Sequence, residues 1–161
     1  MGAVAGMSAA SRRRLTLLRH AQAFPARGGQ HDFARPLDPT GLEQLRTRAP
    51  AFAIATADFP VDRCMFSPAL RTATTAAAFA TAVELAPEAS QPEPLLYDIG
   101  LSELLQYLRR LPPTVGHALV VGHNPTLSAL AWRLSPTALR GGLEPCDHIT
   151  VDFHGEWTDL R

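Results

Sequence analysis

"LTLLRHAQA", Leu15–Ala23, is the stretch from which the fold can be read. Leu15–Leu18 has the apolar run of a short buried strand, yet it leads straight into Arg19 and His20. Burying a cation and an imidazole is costly unless they are paired. A strand that ends on them therefore reads as a rigid mount for polar groups at its carboxyl end.

The same arrangement recurs along the chain. "VDRCMF", Val61–Phe66, reads as a second strand, followed by Ser67, Pro68 and Arg71. "HALVVGH" holds the clearest buried strand, Ala118–Gly122, followed by His123, Asn124 and Pro125. "HITVDFH", His148–His154, alternates as a half-exposed edge strand does.

Helical signals separate these strands. In "DPTGLEQL", Thr40 and Glu43 have capping-box spacing and Pro39 fits a helix edge. Leu42, Leu45, Ala49 and Phe52 share one face, and Pro50 predicts a kink or break. A second, Ala-rich helix is expected from Pro68 to about Val83, with Ser67 as its N-cap. A Pro-rich loop, Ala86–Pro94, precedes a helix over Leu101–Arg110, with Leu101, Leu104, Leu105 and Leu108 inward. Asn124 and Pro125 open a last helix to about Leu134. Strands alternating with helices predict an α/β domain with a mainly parallel sheet. Ligands of such sheets bind outside the carboxyl ends of the strands.

At 161 residues, 46% of them hydrophobic, the chain suits one domain with an ordinary core. Residues 1–14 read as a flexible N-terminal arm, within which Met7 could be the native start, and residues 15–161 as the domain. The first apolar run is too short for a signal peptide core or a membrane span, and no later one is long enough. Fifteen basic residues balance fifteen acidic ones, so no global field favours nucleic acid or an anionic membrane. All the basic residues are arginine, which excludes chemistry that needs a lysine. Cys64 and Cys146 are too far apart in sequence for a zinc knuckle or a redox pair, and read as reduced thiols of a cytoplasmic protein. The chain has no His, Asp and Glu run with ligand spacing, so no metal and no cofactor is expected.

If the strands are parallel, Arg19–His20, Ser67–Arg71 and His123–Pro125 meet on one edge of the sheet. Two of these groups also stand at helix starts, where free N–H groups favour an anion. Arginines present planar donors to phosphate oxygens. A histidine can serve as nucleophile or as acid and base. The combination suits a phosphoryl group. His31, His117, His148 and His154 carry no motif and read as structural or surface residues.

"LLRHA", "SPALRTATTA" and "VVGHNP" resemble the signature segments of the histidine phosphatase superfamily, the phosphoglycerate-mutase-like fold. The loop "DFARPLDPTG", Asp32–Gly41, resembles that of its SixA-type phosphohistidine phosphatases. The resemblance spans Leu15–Phe153 and implies a three-layer α/β/α sandwich. It implies that His20 attacks phosphorus and carries the phosphoryl group, while Arg19, Arg71 and His123 hold the equatorial oxygens and water completes hydrolysis without a metal. Arg35 would touch phosphate or substrate at the mouth of the site; the other reading is a loop ion pair with Asp32 or Asp38. Ser67 reads as a helix cap, and Asn124 as a cap or a substrate contact.

Ester-hydrolysing members of the superfamily use a carboxylate acid. Asp98 and Glu103, in "LLYDIGLSEL", are the candidates, beside their ordinary readings as a loop residue and a first-turn carboxylate. A weak acid suits a phosphoramidate, and the short chain leaves little for a lid. Both features favour phosphohistidine on a phosphotransfer protein as substrate. The alternatives are a small-molecule phosphomonoesterase acting on a sugar or nucleotide phosphate and, from another class, a non-catalytic phosphate-binding module. Mutase activity fits less well, because the chain lacks length for the loops that retain a bisphosphate intermediate.

Overall fold

The computed structural model describes residues 11–29 and 31–161. Five strands form one sheet: β1 (Arg12–Arg19), β2 (Arg63–Phe66), β3 (Ser90–Pro92), β4 (His117–Gly122) and β5 (His148–His154). Their order is β3-β2-β4-β1-β5; β5 alone is antiparallel to its neighbour. Among the described residues there are four α-helices: α1 (Pro39–Ala55), α2 (Leu70–Ala82), α3 (Leu101–Leu108) and α4 (Thr126–Leu134).

Strand alternation divides the core into two layers. Leu15 and Leu17 of β1, with Ala118 and Val120 of β4, pack against leucines of α3 and α4. Leu18, Leu119 and Val121 face the other way, onto Leu45, Ala49 and Phe52 of α1 and Ala76 and Phe79 of α2. The expected three-layer α/β architecture with a mainly parallel sheet is therefore present.

Several boundaries differ from the sequence reading. β1 begins at Arg12, so Arg12–Arg14, expected in the arm, belong to the sheet; residues 1–10 of that arm lie outside the described residues. Arg14 is drawn into the strand by Asp152 and Asp58, at 2.6 and 3.1 Å. The Pro-rich loop contains β3, which pairs in parallel with β2. Proline is tolerated there because the strand lies at the sheet edge.

The Thr40–Glu43 box is not used. Asp38 caps α1 instead, its Oδ1 accepting from Gly41 N at 2.8 Å, with Pro39 as the first helical residue. The cap thus stands two residues before the expected Thr40; Leu42, expected on the inner face, is exposed, and Gly41 is buried in its place. A Cβ on Gly41 would stand 2.0 Å from the Gln22 carbonyl oxygen, so only glycine lets α1 press on the loop after His20. The helix runs through Pro50 without a break. Pro50 lies on the exposed face, where the freed carbonyl is open to water, while Leu45, Ala49 and Phe52 hold the inner face. α2 begins at Leu70, not at Pro68, which frees Ser67 for another partner.

Phe79 is fully buried, its ring 5.3 Å from that of Phe52. Phe79→Ala is expected to cost about 3–5 kcal/mol, read as a lowered urea midpoint with an unchanged slope.

Candidate active site

The carboxyl ends of β1, β2 and β4 meet as the sequence predicts. In the parallel pairing Arg19 stands opposite Gly122 and Phe66 opposite Val121. Two main-chain bonds continue each pairing by one residue: His20 N donates to Gly122 O, and Ser67 N to Val121 O, both at 3.1 Å. A cleft of about 590 Å3 opens there. Arg19, His20, Arg35, Arg71, Asp98, His123 and Asn124, singled out from the sequence, all line it.

His20 is almost wholly buried, and its Nδ1 lies 2.7 Å from the carbonyl oxygen of Ala21. A carbonyl only accepts, so Nδ1 carries the ring proton and Nε2 keeps its lone pair. The Ala21 N–H is fixed in turn by Thr75 Oγ1, at 3.0 Å. Burial pushes the His20 pKa down, the bond to Ala21 opposes this, and Arg71 and Arg19 add to the burial effect, bringing it to about 4.

His123 stands with its ring centroid 5.4 Å from that of His20. Arg71 Nη2 lies 3.3 Å from His123 Nδ1, and Ser67 Oγ lies 2.7 Å from Nε2. A guanidinium only donates, so Nδ1 accepts and Nε2–H donates to Ser67. Ser67, expected as a helix cap, is only 3.5 Å from Ala69 N; its short contact is with this histidine. Burial, then Arg71, lowers the His123 pKa to about 3. Both imidazoles are therefore neutral at neutral pH.

The arginines are held from behind. Arg19 Nη1 donates to Leu143 O at 2.8 Å, a carbonyl that also accepts from Asn124 Nδ2 at 2.9 Å. Asn124 Oδ1 accepts from Ser128 N in the first turn of α4, at 3.3 Å, although the N-cap position itself is held by Pro125. Arg71 donates through Nη1 and Nη2 to Asp32 O and Asp32 Oδ2, at 2.8 and 3.0 Å. Arg35 makes the expected loop ion pair, with Asp32 Oδ1 at 2.8 Å, and its side chain also lines the cleft.

Of the two acid candidates, only Asp98 borders this cleft. Glu103 accepts from Gly100 N at 3.2 Å and caps α3. His31, His117, His148 and His154 do not line the cleft. His117 is buried, with Nδ1 donating to Phe59 O. The sequence reading gave Asp32 and Tyr97 no place in the site, yet both line it. Asp32 lies inside the quoted "DFARPLDPTG" loop, so its motif was visible, although only as a partner for Arg35. Tyr97, beside Asp98, carries no signal of its own. Among the described residues, no three His, Cys, Asp or Glu side chains cluster to hold a metal ion, and no helix is long and apolar enough to cross a membrane.

The family model of the histidine phosphatase superfamily (branch 1) matches residues 15–103, a span that includes Arg19, His20, Arg35 and Arg71. The fold is similar to that of a candidate phosphohistidine phosphatase SixA from Agrobacterium tumefaciens, with a TM-score of 0.77 and 26% identity over 87% of this chain and 90% of that one. A candidate SixA from Nakamurella multipartitia gives 0.73 and 30% identity over 95% and 91%. A protein histidine phosphatase SixA complexed with tungstate gives 0.68 and 20% identity over 92% and 99%. No curated protein sequence matches the chain. A mainly parallel sheet that gathers two histidines and three arginines at one edge, and a family match over more than half the chain, lead to the same assignment: this chain belongs to the histidine phosphatase superfamily, branch 1, and is a phosphatase.

Proposed function

We propose that the protein is a metal-independent phosphohistidine phosphatase with a covalent intermediate on His20, acting on a histidine phosphotransfer protein. The observation that carries this reading is the hydrogen bond from His20 Nδ1 to Ala21 O. It leaves a neutral Nε2 with its lone pair, in a cleft lined by arginines. The substrate class is supported by the two similar proteins described as candidate phosphohistidine phosphatases.

Nε2 of His20 attacks phosphorus as the bond to the leaving group breaks. Arg19 and Arg71 stabilise the equatorial oxygens, Arg35 contributes at the cleft mouth, and Asn124 holds the shared Leu143 carbonyl in place. A phosphoryl dianion favours the protonated form of a nearby imidazole, so His123 gains a proton and becomes a further donor. Water then attacks phosphorus, and His20 leaves with its Nδ1–H still bonded to Ala21. Such transfer depends on positioning and charge stabilisation, which arginines supply without a metal. Two buried free cysteines support a cytoplasmic setting.

Asp98 on the cleft wall gives the second reading its observation: it could act as the acid for a small phosphate ester. A panel of sugar and nucleotide phosphates, run beside a phosphohistidine protein, separates the two. Turnover of an ester with none of phosphohistidine would select the ester reading.

Three outcomes are expected. His20→Ala reduces turnover to background while thermal unfolding is unchanged, and mass spectrometry of the acid-quenched wild-type protein locates phosphate on His20. Substantial residual turnover in that variant would remove His20 as nucleophile. Prolonged treatment with a chelator leaves the rate unchanged. Nitrogen NMR of the imidazoles shows His20 neutral down to about pH 5.5 and gaining its proton only as pH falls through about 4. The sign follows from the depressed pKa: protonation at Nε2 removes the nucleophile, so activity persists below the ordinary histidine range near 6.5.

A further inference from the structure

The cleft contains a carboxylate to which the mechanism above gives no task. Asp32 Oδ1 accepts from Arg35 Nε at 2.8 Å, while Oδ2 accepts from Arg71 Nη2 at 3.0 Å and from Tyr97 Oη at 2.9 Å. Three donors leave one of a carboxylate's roughly four acceptor positions open. The Asp32 side chain is 45% exposed and forms part of the cleft wall.

An anionic group at this point is a poor choice for binding a phosphoryl dianion alone. Burial pushes its pKa up, but the bonds from Tyr97, Arg35 and Arg71 outweigh this and hold it at about 2. Asp32 is therefore ionised at neutral pH and cannot give a proton to an alkoxide leaving group. Its charge becomes useful when the substrate brings a cation with the phosphoryl group. Phosphohistidine does so when phosphorus is on one ring nitrogen and a proton on the other.

We propose that Asp32 is the specificity residue for this leaving group, accepting a hydrogen bond from the distal N–H of a phosphoimidazolium ring. The inference rests on the phosphohistidine reading and adds to it how the ring is recognised. The step balances without an acid. The Nε2 lone pair of His20 forms the new N–P bond. The old P–N bond breaks, and its electron pair stays on the substrate ring, which departs as neutral imidazole with its distal proton. His20 becomes the phosphoimidazolium, with Nδ1–H on Ala21 O. A hydrogen-bond acceptor thus backs the ring on each side of the transfer: a carbonyl on the enzyme's side and a carboxylate on the substrate's.

The test uses the full-length protein and two small probes, phosphoimidazole and p-nitrophenyl phosphate; the nitrophenolate leaves without a proton. In Asp32→Asn, the ratio of kcat/KM for phosphoimidazole to that for the ester is expected to fall about tenfold or more. The alkaline limb of kcat for phosphoimidazole is expected to move down by about one pH unit, because the bound ring loses the anion that favours its proton. Asp32→Glu, which keeps the charge, should recover part of the ratio. Tungstate inhibition of each variant reports whether the Arg71 clamp is intact. If wild type hydrolyses both probes and Asp32→Asn loses both in proportion, with weakened tungstate inhibition and no shift of the limb, Asp32 only tethers Arg71 and the inference is overturned. A wild-type protein that hydrolyses the ester and not phosphoimidazole overturns the substrate reading itself, and this inference with it.

Discussion

The site depends on the parallel register of β1 against β4. Arg19 opposite Gly122 places His20 one residue beyond the pairing, level with His123, and the bond from His20 N to Gly122 O holds it there. Side chains alternate faces along a strand, so a slip of one residue would turn His20 away from the cleft and Leu18 out of its core layer. The register is hard to slip because both faces of β1 are buried between helices. The other side of the Arg19–His20 pair is closed by the loop before β5. Cys146 N lies 3.2 and 3.1 Å from the carbonyl oxygens of Arg19 and His20, and Arg19 N donates to Asp147 O. Cys146 adopts a left-handed φ of 66° to make this approach, a conformation that non-glycine residues seldom take without a fixed surrounding.

The features legible in the sequence were those set by hydrophobic pattern. Three apolar runs, each ending in polar residues, located β1, β2 and β4 and the edge on which their groups meet, because a buried strand needs a continuous apolar segment and little else. β5 showed by its alternation, over the bounds His148–His154. Less legible were features decided by competition between neighbours. Asp38 and Thr40 are both good caps, and close packing of Gly41 on Gln22 decided between them. Ser67 precedes a proline and looks like a cap, yet a histidine from another strand takes its hydroxyl. β3 is three residues long and held by pairing, with no apolar pattern to announce it. Asp32 was visible as a partner for Arg35 alone, since local spacing cannot show that Arg71 and Tyr97, 39 and 65 residues away, converge on the same carboxylate.

This convergence also explains how so many cations are kept at one place. Arg71 is buried and Arg35 half-buried, and unpaired charges there would be strongly unfavourable. Asp32 offsets part of both, and Arg19 finds the Leu143 carbonyl. Burial first, and then the same arginines, keep the two imidazoles neutral, because an imidazolium is poorly solvated in the cleft and a second cation beside a guanidinium adds a Coulomb cost. Arginine cannot lose its proton under these conditions, whereas a buried lysine shifts its pKa readily. A permanent positive field with neutral histidines is the state a phosphoryl-accepting nucleophile requires, and here it is produced by the order of basicity among the side chains. On the proposed mechanism, the negative charge of an entering phosphoryl group reverses the balance at His123 and leaves His20 as the group that forms the bond.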